Sequence, residues 1–429
     1  MDTERSSSLP GPHRRRWGIA EWLFALLLLL ALVGLDPLRS RDALSMIESS
    51  DGDTRRQIAY LLLFGLLAVL TIDRRSFGGL TVVPVMITLT IAWFFAGTLW
   101  SVAPGITFRR AALTAVTVWS VFMSVGLLGA ERAWEVLYRV LAALLVVNLI
   151  SVAVFPQAVH LPGEADPALV GNWRGMHFHK NHAGLIAGLS TVLFFSEAMK
   201  SRRLLPWSLF LTGALFTLGT QSKTSLALLV LSLVVIVGAR RSSTSDKSRR
   251  SIRRILLWCI FGSFISSIAF FEFILETLND PKAFTGRTAI WNIVIQYARD
   301  NILLGSGYSA FWQSGEASPA LDLAADWAVG AAHSHNGYLE LLATTGLIGL
   351  TLGAISAFII PMLRLLRILR PTNPLLLSWL LFLLIYNVTE VGLYQGDRAA
   401  WIFHLITISI LYNPETLTKS KFLPPQPIS

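Results

Sequence analysis

Residues 111–129, Ala111-Ala-Leu-Thr-Ala-Val-Thr-Val-Trp-Ser-Val-Phe-Met-Ser-Val-Gly-Leu-Leu-Gly129, hold no charged side chain, while Arg109 and Arg110 stand directly before them and Glu131 and Arg132 soon after. A hydrocarbon core about 30 Å thick takes roughly 20 apolar residues as one helical crossing. The run therefore predicts a membrane span with a cationic pair at one mouth. Similar runs recur on either side of it, at 17–35, 57–72, 80–98, 134–155, 182–198, 204–219, 224–239, 254–275, 336–360, 374–390 and 398–412. Composition agrees: 14% of the 429 residues are charged and 53% are hydrophobic, whereas a soluble domain has about a quarter charged. Backbone N–H and C=O groups find no water in hydrocarbon, so each span must be helical, and no alternating strand pattern competes. The predicted fold class is an all-α polytopic membrane protein with about 12 transmembrane helices.

With an even number of spans the two termini share a side. Lys and Arg concentrate there, in the N-terminal tail, at Arg74 and Arg75, from Lys200 to Arg203, and between Arg240 and Arg254. Positive charge stays on the cytoplasmic side, so both termini are expected in the cytoplasm. The net charge of +10 is then a topology signal, and nucleic acid is not an expected partner. The stretch Arg240 to Arg254, with its serines and Asp246, reads as a solvated loop with at most minor lipid-headgroup contact. Arg14, Arg15 and Arg16 before an apolar run have the outline of a signal peptide, but no small-residue cleavage site follows Gly34 and Leu35, so a retained first span is expected. The single cysteine, Cys259, falls inside a span, which excludes disulfides, CxxC redox chemistry and thiolate zinc sites. The chain divides into a tail, 1–16, one transmembrane domain, 17–412, and a second tail, 413–429. That domain includes an outer loop, 276–335, between spans nine and ten. In the loop, Ile290, Trp291, Val294 and Ile295 repeat at helical spacing, which predicts a helix over Thr288 to Ala298 lying on the membrane surface as a lid or platform.

Three polar sets stand against the apolar background, all on the outer face. The first is Gly171-Asn-Trp-Arg-Gly-Met-His-Phe-His-Lys-Asn-His182. Charge near lipid is costly, so Arg174 and Lys180 either snorkel at a helix end or face an anionic partner. His177, His179 and His182 have no carboxylate or cysteine nearby in sequence, so no metal site is expected. The second set is His333-Ser-His-Asn-Gly-Tyr-Leu-Glu340. Ser334 and Asn336 suit helix capping, but capping does not explain two histidines, and imidazole takes a proton near neutrality. The third is scattered: Arg109, Arg110, Lys223, Arg287 and Arg398. Their side should be poor in cations, and a phosphate or pyrophosphate ligand supplies a reason, since guanidinium forks bind such oxygens. Loop salt bridges to Asp280, Asp300, Glu316, Asp322 or Asp326 are the alternative.

Over roughly 90–400 the chain resembles the bacterial O-antigen ligase and polymerase superfamily, and within it the exopolysaccharide polymerases. The marks are Trp100-Ser-Val-Ala-Pro104 with Arg109 and Arg110, Trp173-Arg-Gly175 with His179-Lys-Asn181, and Gln221-Ser-Lys-Thr224. Gly286-Arg-Thr-Ala-Ile-Trp291, Gly305-Ser-Gly307, and His335-Asn336 with Gly346 and Gly349 beyond it complete the set. The resemblance implies a GT-C-like twelve-helix core with a large periplasmic loop before span ten. It also implies a metal-independent glycosyltransferase, without cofactor, acting in the inner membrane on undecaprenyl-pyrophosphate-linked oligosaccharide. In the ligases the histidine of the His-Asn pattern is the base, which makes His335 the expected base here. Arg109, Arg110, Arg174, Lys180, Lys223, Arg287 and Arg398 become candidates for the leaving pyrophosphate, and His179, Asn181, His333, Asn336 and Glu340 for orienting sugar or imidazole. Ligases often carry Arg where this chain has Lys223, which favours a polymerase, with a chain-length regulator and export machinery as further partners, over a ligase acting on lipid A core. A secondary transporter is the expectation from another class, but its broken helices at the midplane and matched halves are not evident.

Overall fold

The computed structural model describes residues 17–39, 53–162, 164, 167–201, 203–242, 287–312, 314, 317–323, 333–368 and 374–413. The predicted span 254–275 with Cys259, the tail 1–16, most of the tail 413–429, the basic stretch beyond Ser242, and Asp280, Glu316 and Asp326 lie outside those residues. The helices are α1 (Ile19–Leu32), α2 (Thr54–Arg75), α3 (Val85–Ala96), α4 (Pro104–Leu128), α5 (Ala130–Val154), α6 (Lys180–Ala198) and α7 (Leu204–Gly219). They continue with α8 (Lys223–Ser242), α9 (Arg287–Asp300), α10 (Pro319–Leu323), α11 (Gly337–Ala354), α12 (Ile360–Ile368), α13 (Pro374–Thr389) and α14 (Ala399–Tyr412). Apart from 254–275, each predicted span coincides with one of them. Five are long and apolar enough to cross a membrane: α2, α4, α5, α8 as far as Arg240, and the run Gly337–Leu366. Helix ends differ from the expected spans by several residues, and one of these differences bears on the site. Pro104 opens α4 at its first position, where its missing N–H costs nothing, so Arg109 and Arg110 sit inside the helix rather than before it.

α14 is buried from Ala399 to Leu411 and α6 from Ala183 almost to its end, so these two form the centre. α2 lies at the rim and leaves Leu61, Leu62, Leu66 and Val69 exposed, as a lipid-facing helix can. Apolar burial does not drive helices together in lipid; close approach does. A Cβ added at Gly184 of α6 would come 2.6 Å from Ser222 Cβ, and one at Gly213 of α7 would come 2.5 Å from Thr191 Oγ1.

The long run after residue 336 is not one straight helix. α11 breaks at Gly346, whose φ is +66°, and a π-helical turn, Ile355–Ile359, joins it to α12. The loop after α9 fills the break: Leu347 N–H donates to Ile302 O at 2.7 Å and Ser306 N–H donates to Ala343 O at 2.9 Å. Ser306 O in turn accepts from Val102 N–H at 3.0 Å, and the Trp100 indole donates to Leu304 O at 3.1 Å. The stretches Trp100–Pro104, Gly305–Gly307 and Gly346 are thus one joint, in which protein groups satisfy backbone that lipid would not.

The helix predicted over Thr288 to Ala298 exists as α9, but its apolar stripe turns inward. Trp291, Ile293, Val294 and Ala298 are buried, and Ile293 and Val294 pack with Phe311, Trp312 and Ala343. The expected position flat on a lipid surface is therefore corrected: the stripe is covered by protein.

Candidate active site

His333 to Asn336 form the turn that enters α11. Asn336 caps the helix, its Oδ1 accepting from Tyr338 N–H at 2.9 Å and Leu339 N–H at 3.1 Å. Three further contacts pin the turn. The Trp291 indole of α9 donates to Ser334 O at 2.9 Å. Buried Glu340 accepts from Ser334 N–H at 2.9 Å and from the Trp312 indole at 3.1 Å. Glu340 is thereby engaged in holding the turn. Capping occupies Asn336 and anchoring occupies Ser334, while His333 Nδ1 accepts from His335 N–H at 3.3 Å within the same turn. Their rings lie 4.2 Å apart between centroids, and His335 is held at φ +52°, a left-handed conformation that a side chain of this size rarely adopts.

The carboxylate that organises the site is Glu390, directly after α13, which the sequence reading did not single out. Its Oε1 accepts from Asn181 Nδ2 of α6 at 2.9 Å and from Arg287 Nη2 of α9 at 3.0 Å. Its Oε2 faces His335 Nδ1 at 3.7 Å, an ion-pair distance that is long for a hydrogen bond. Arg287 also donates to Thr389 O at 2.5 Å, and Gly337 N–H donates to Glu390 O at 3.1 Å. Three chain segments remote in sequence therefore converge on the Glu390 side chain.

A second histidine group adjoins it. His179 caps α6 by accepting from Asn181 N–H at 3.1 Å, and its ring meets His160 edge-on at 5.4 Å. Burial, then the nearby His160, push His179 down to about 4, with Glu390 opposing and Lys180 and His335 adding to the shift. His160 Nε2 accepts from Lys180 N–H at 3.1 Å, while its Nδ1 meets Glu164 Oε2 at 2.5 Å. The His177–His182 stretch, which has no carboxylate near it in sequence, thus has Glu164 and Glu390 beside it in space. His177 itself is structural, bonded to Asn148 at 3.2 Å and to Leu32 O at 3.0 Å.

The expected cations separate into two kinds. Arg174 is 2% exposed and donates to Gln157 O at 2.6 Å and Phe178 O at 3.3 Å. Arg110 donates to Ser309 O and Trp312 O. Both hold loop carbonyls, and Arg109 lies beside Arg110 on α4. Arg287 and Lys180 stand at the Glu390 cluster. Lys223 is exposed at the start of α8, where the next residue, Thr224, meets Thr389 at 3.2 Å between hydroxyls. Arg398 occupies the cap position of α14 and its charge reaches Glu340 and, together with Arg287, Tyr386. His335, His333, His179, Asn181, Lys180, Arg287 and Glu390 thus share one neighbourhood, with Lys223 and Arg398 at its edge. Such a set can accept a proton and hold a polyanion.

Comparison with known proteins bears on this arrangement. Residues 208–354 match the family model described as O-Antigen ligase. The exopolysaccharide production protein ExoQ of Rhizobium meliloti (strain 1021) is 31% identical over 153 residues, which are 33% of this chain and 34% of that protein. The match thus spans about a third of the length of that relative. Both findings support the O-antigen ligase and polymerase superfamily, on the side of the exopolysaccharide proteins. The family segment contains Lys223, Arg287, His333, His335, Asn336 and Glu340, whereas Asn181 and Glu390 lie outside it.

Proposed function

We propose that this chain is a metal-independent glycosyltransferase of the inner membrane that lengthens lipid-linked glycan from undecaprenyl-pyrophosphate-linked oligosaccharide on the periplasmic face. The observation that carries the reading is the convergence of a partly exposed imidazole, His335, with Arg287 on the Glu390 carboxylate, with Lys180 at the head of α6 and Lys223 at the start of α8. In the reaction an acceptor hydroxyl attacks the anomeric carbon of the lipid-linked sugar. The new glycosidic bond forms as the bond from that carbon to the diphosphate oxygen breaks. His335 takes the hydroxyl proton, a contribution of about 10² to 10⁴ in rate. Arg287, Lys180, Lys223 and Arg398 stabilise the charge that grows on the departing diphosphate, and Asn181, His179 and His333 orient the sugars around the imidazole. Arg174 and Arg110 support the site's walls from the loops they hold, with Arg109 next to Arg110 on α4. The distribution of Lys and Arg along the chain favours cytoplasmic termini and a periplasmic site.

A ligase is the second reading, favoured by the description of the family model matched over residues 208–354. The two share the donor and differ in acceptor: a growing glycan on lipid diphosphate for the polymerase, lipid A core for the ligase. Complementation tests the common part. A strain lacking the gene regains polymer from the wild-type chain and not from His335→Ala at equal protein level; wild-type polymer from that variant would remove His335 from the chemistry.

A further inference from the structure

The two oxygens of Glu390 are used unequally. Oε1 is filled by Asn181 Nδ2 at 2.9 Å and Arg287 Nη2 at 3.0 Å. Oε2 faces only Nδ1 of His335 among the described residues, at 3.7 Å. That nitrogen is buried without a hydrogen-bond partner, although the side chain as a whole keeps 34% of its surface exposed. The exposed part of the ring is therefore the side away from the carboxylate, where Nε2 lies. Resting active sites often hold such contacts slightly long and tighten them when loaded.

From this geometry we infer that Glu390 is a positioning residue for His335: it keeps the proton of the neutral ring on Nδ1 and so makes Nε2 the base. The inference rests on the glycosyl-transfer reading above. Nε2 accepts the acceptor's proton, Nδ1 keeps its own against Oε2, and the imidazolium so formed is stabilised by the carboxylate until the proton leaves to solvent. Asn181 and Arg287 hold Oε1, which stops the carboxylate rotating away and ties the base to the seating of α9. The charged or titratable groups around His335 are His333 on its own turn, Glu390 after α13, Arg287 on α9, and His179 at the head of α6, with Lys180 behind it.

The test uses the full-length chain in proteoliposomes, with polyprenyl-diphosphate-linked oligosaccharide extracted from cells lacking the gene. Release of lipid diphosphate is followed against pH for wild type, His335→Ala, Glu390→Gln and Glu390→Asp. Glu390→Gln should lower kcat by about 10² to 10⁴-fold, with KM for the lipid-linked donor within about twofold. Its acid limb should move to lower pH, because the anion that favours the imidazolium is gone. Glu390→Asp keeps the anion, so its limb stays in place while kcat falls less. A purely structural glutamate would lower the rate, or raise KM, with the limb unmoved, and that result overturns the assignment. Should Glu390→Gln not fold, Glu390→Asp decides: wild-type kcat in that variant overturns it as well. A wild-type chain that releases no lipid diphosphate, or a His335→Ala chain as active as wild type, instead defeats the glycosyl-transfer reading, and this inference with it.

Discussion

Arg287 Nη2 and Glu390 Oε1 meet at 3.0 Å across 103 positions of sequence, with side chains only 20% and 10% exposed. The pair fastens α9, which carries the indole that holds Ser334, to the end of α13. It therefore fixes where His335 stands. Breaking a buried pair from one side leaves an uncompensated charge and costs about 3 to 5 kcal/mol, whereas removing both charges costs less. Arg287→Ala should accordingly lower the unfolding temperature in detergent more than Arg287→Ala combined with Glu390→Gln. Equal or greater loss in the double variant contradicts the pairing.

The joint at Gly346 makes a sharper prediction. A Cβ there would stand 2.0 Å from Leu303 O, on backbone with φ +66°. Gly346→Ala should destabilise by at least about 2 kcal/mol and reduce folded yield. Gly105, in the first turn of α4, has open space around its position, and Gly105→Ala there should stabilise by a few tenths to about 1 kcal/mol. Thermal melts of the two variants check both signs.

Arg174 and Arg110 each donate to two carbonyls that a single ammonium cannot serve with the same fork. Arg174→Lys and Arg110→Lys should lower thermal stability by about 1 to 3 kcal/mol each. Lys223→Arg, at an exposed position, should leave the melting temperature unchanged. Comparable melts for all three variants would contradict the division between carbonyl-bonded arginines and the exposed lysine.

Acid should loosen the buried histidine stretch at the head of α6. Burial pushes His177 and His179 down to about 4, below the value of about 6.5 for an exposed imidazole. The unfolded chain then binds protons first, so stability is full above about pH 6.5 and is lost as pH falls toward about 4. Intrinsic tryptophan fluorescence melts between pH 8 and pH 4.5 should show the decline, and His179→Gln should flatten it. A flat profile in the wild type contradicts the buried neutral imidazoles.

What could be read in the sequence followed the range of the interaction. The run 111–129 announces a span because length and lack of charge are local properties, and the same is true of every helix that matches a predicted span. His335 and Arg287 could be picked out because they are polar where polarity is costly. Glu390 could not, because it closes the apolar run 374–390 and only its distant partners Asn181 and Arg287 reveal its use; a lone carboxylate at a span end was the available signal. The stripe of α9 gave the right period and the wrong cover, since periodicity fixes a face and not what lies against it. The bonds of Arg174 and Arg110 were hidden for the same reason: the carbonyls of Gln157, Phe178, Ser309 and Trp312 become neighbours only in the fold.

The most direct measurement places the purified wild-type chain in proteoliposomes with lipid-linked oligosaccharide and no ion gradient, then follows glycan length and free lipid diphosphate together. The account predicts lengthened or transferred glycan with one lipid diphosphate released per bond formed, and neither product from His335→Ala. Movement of solute with no glycosidic bond made, or equal turnover by the alanine variant, would contradict it.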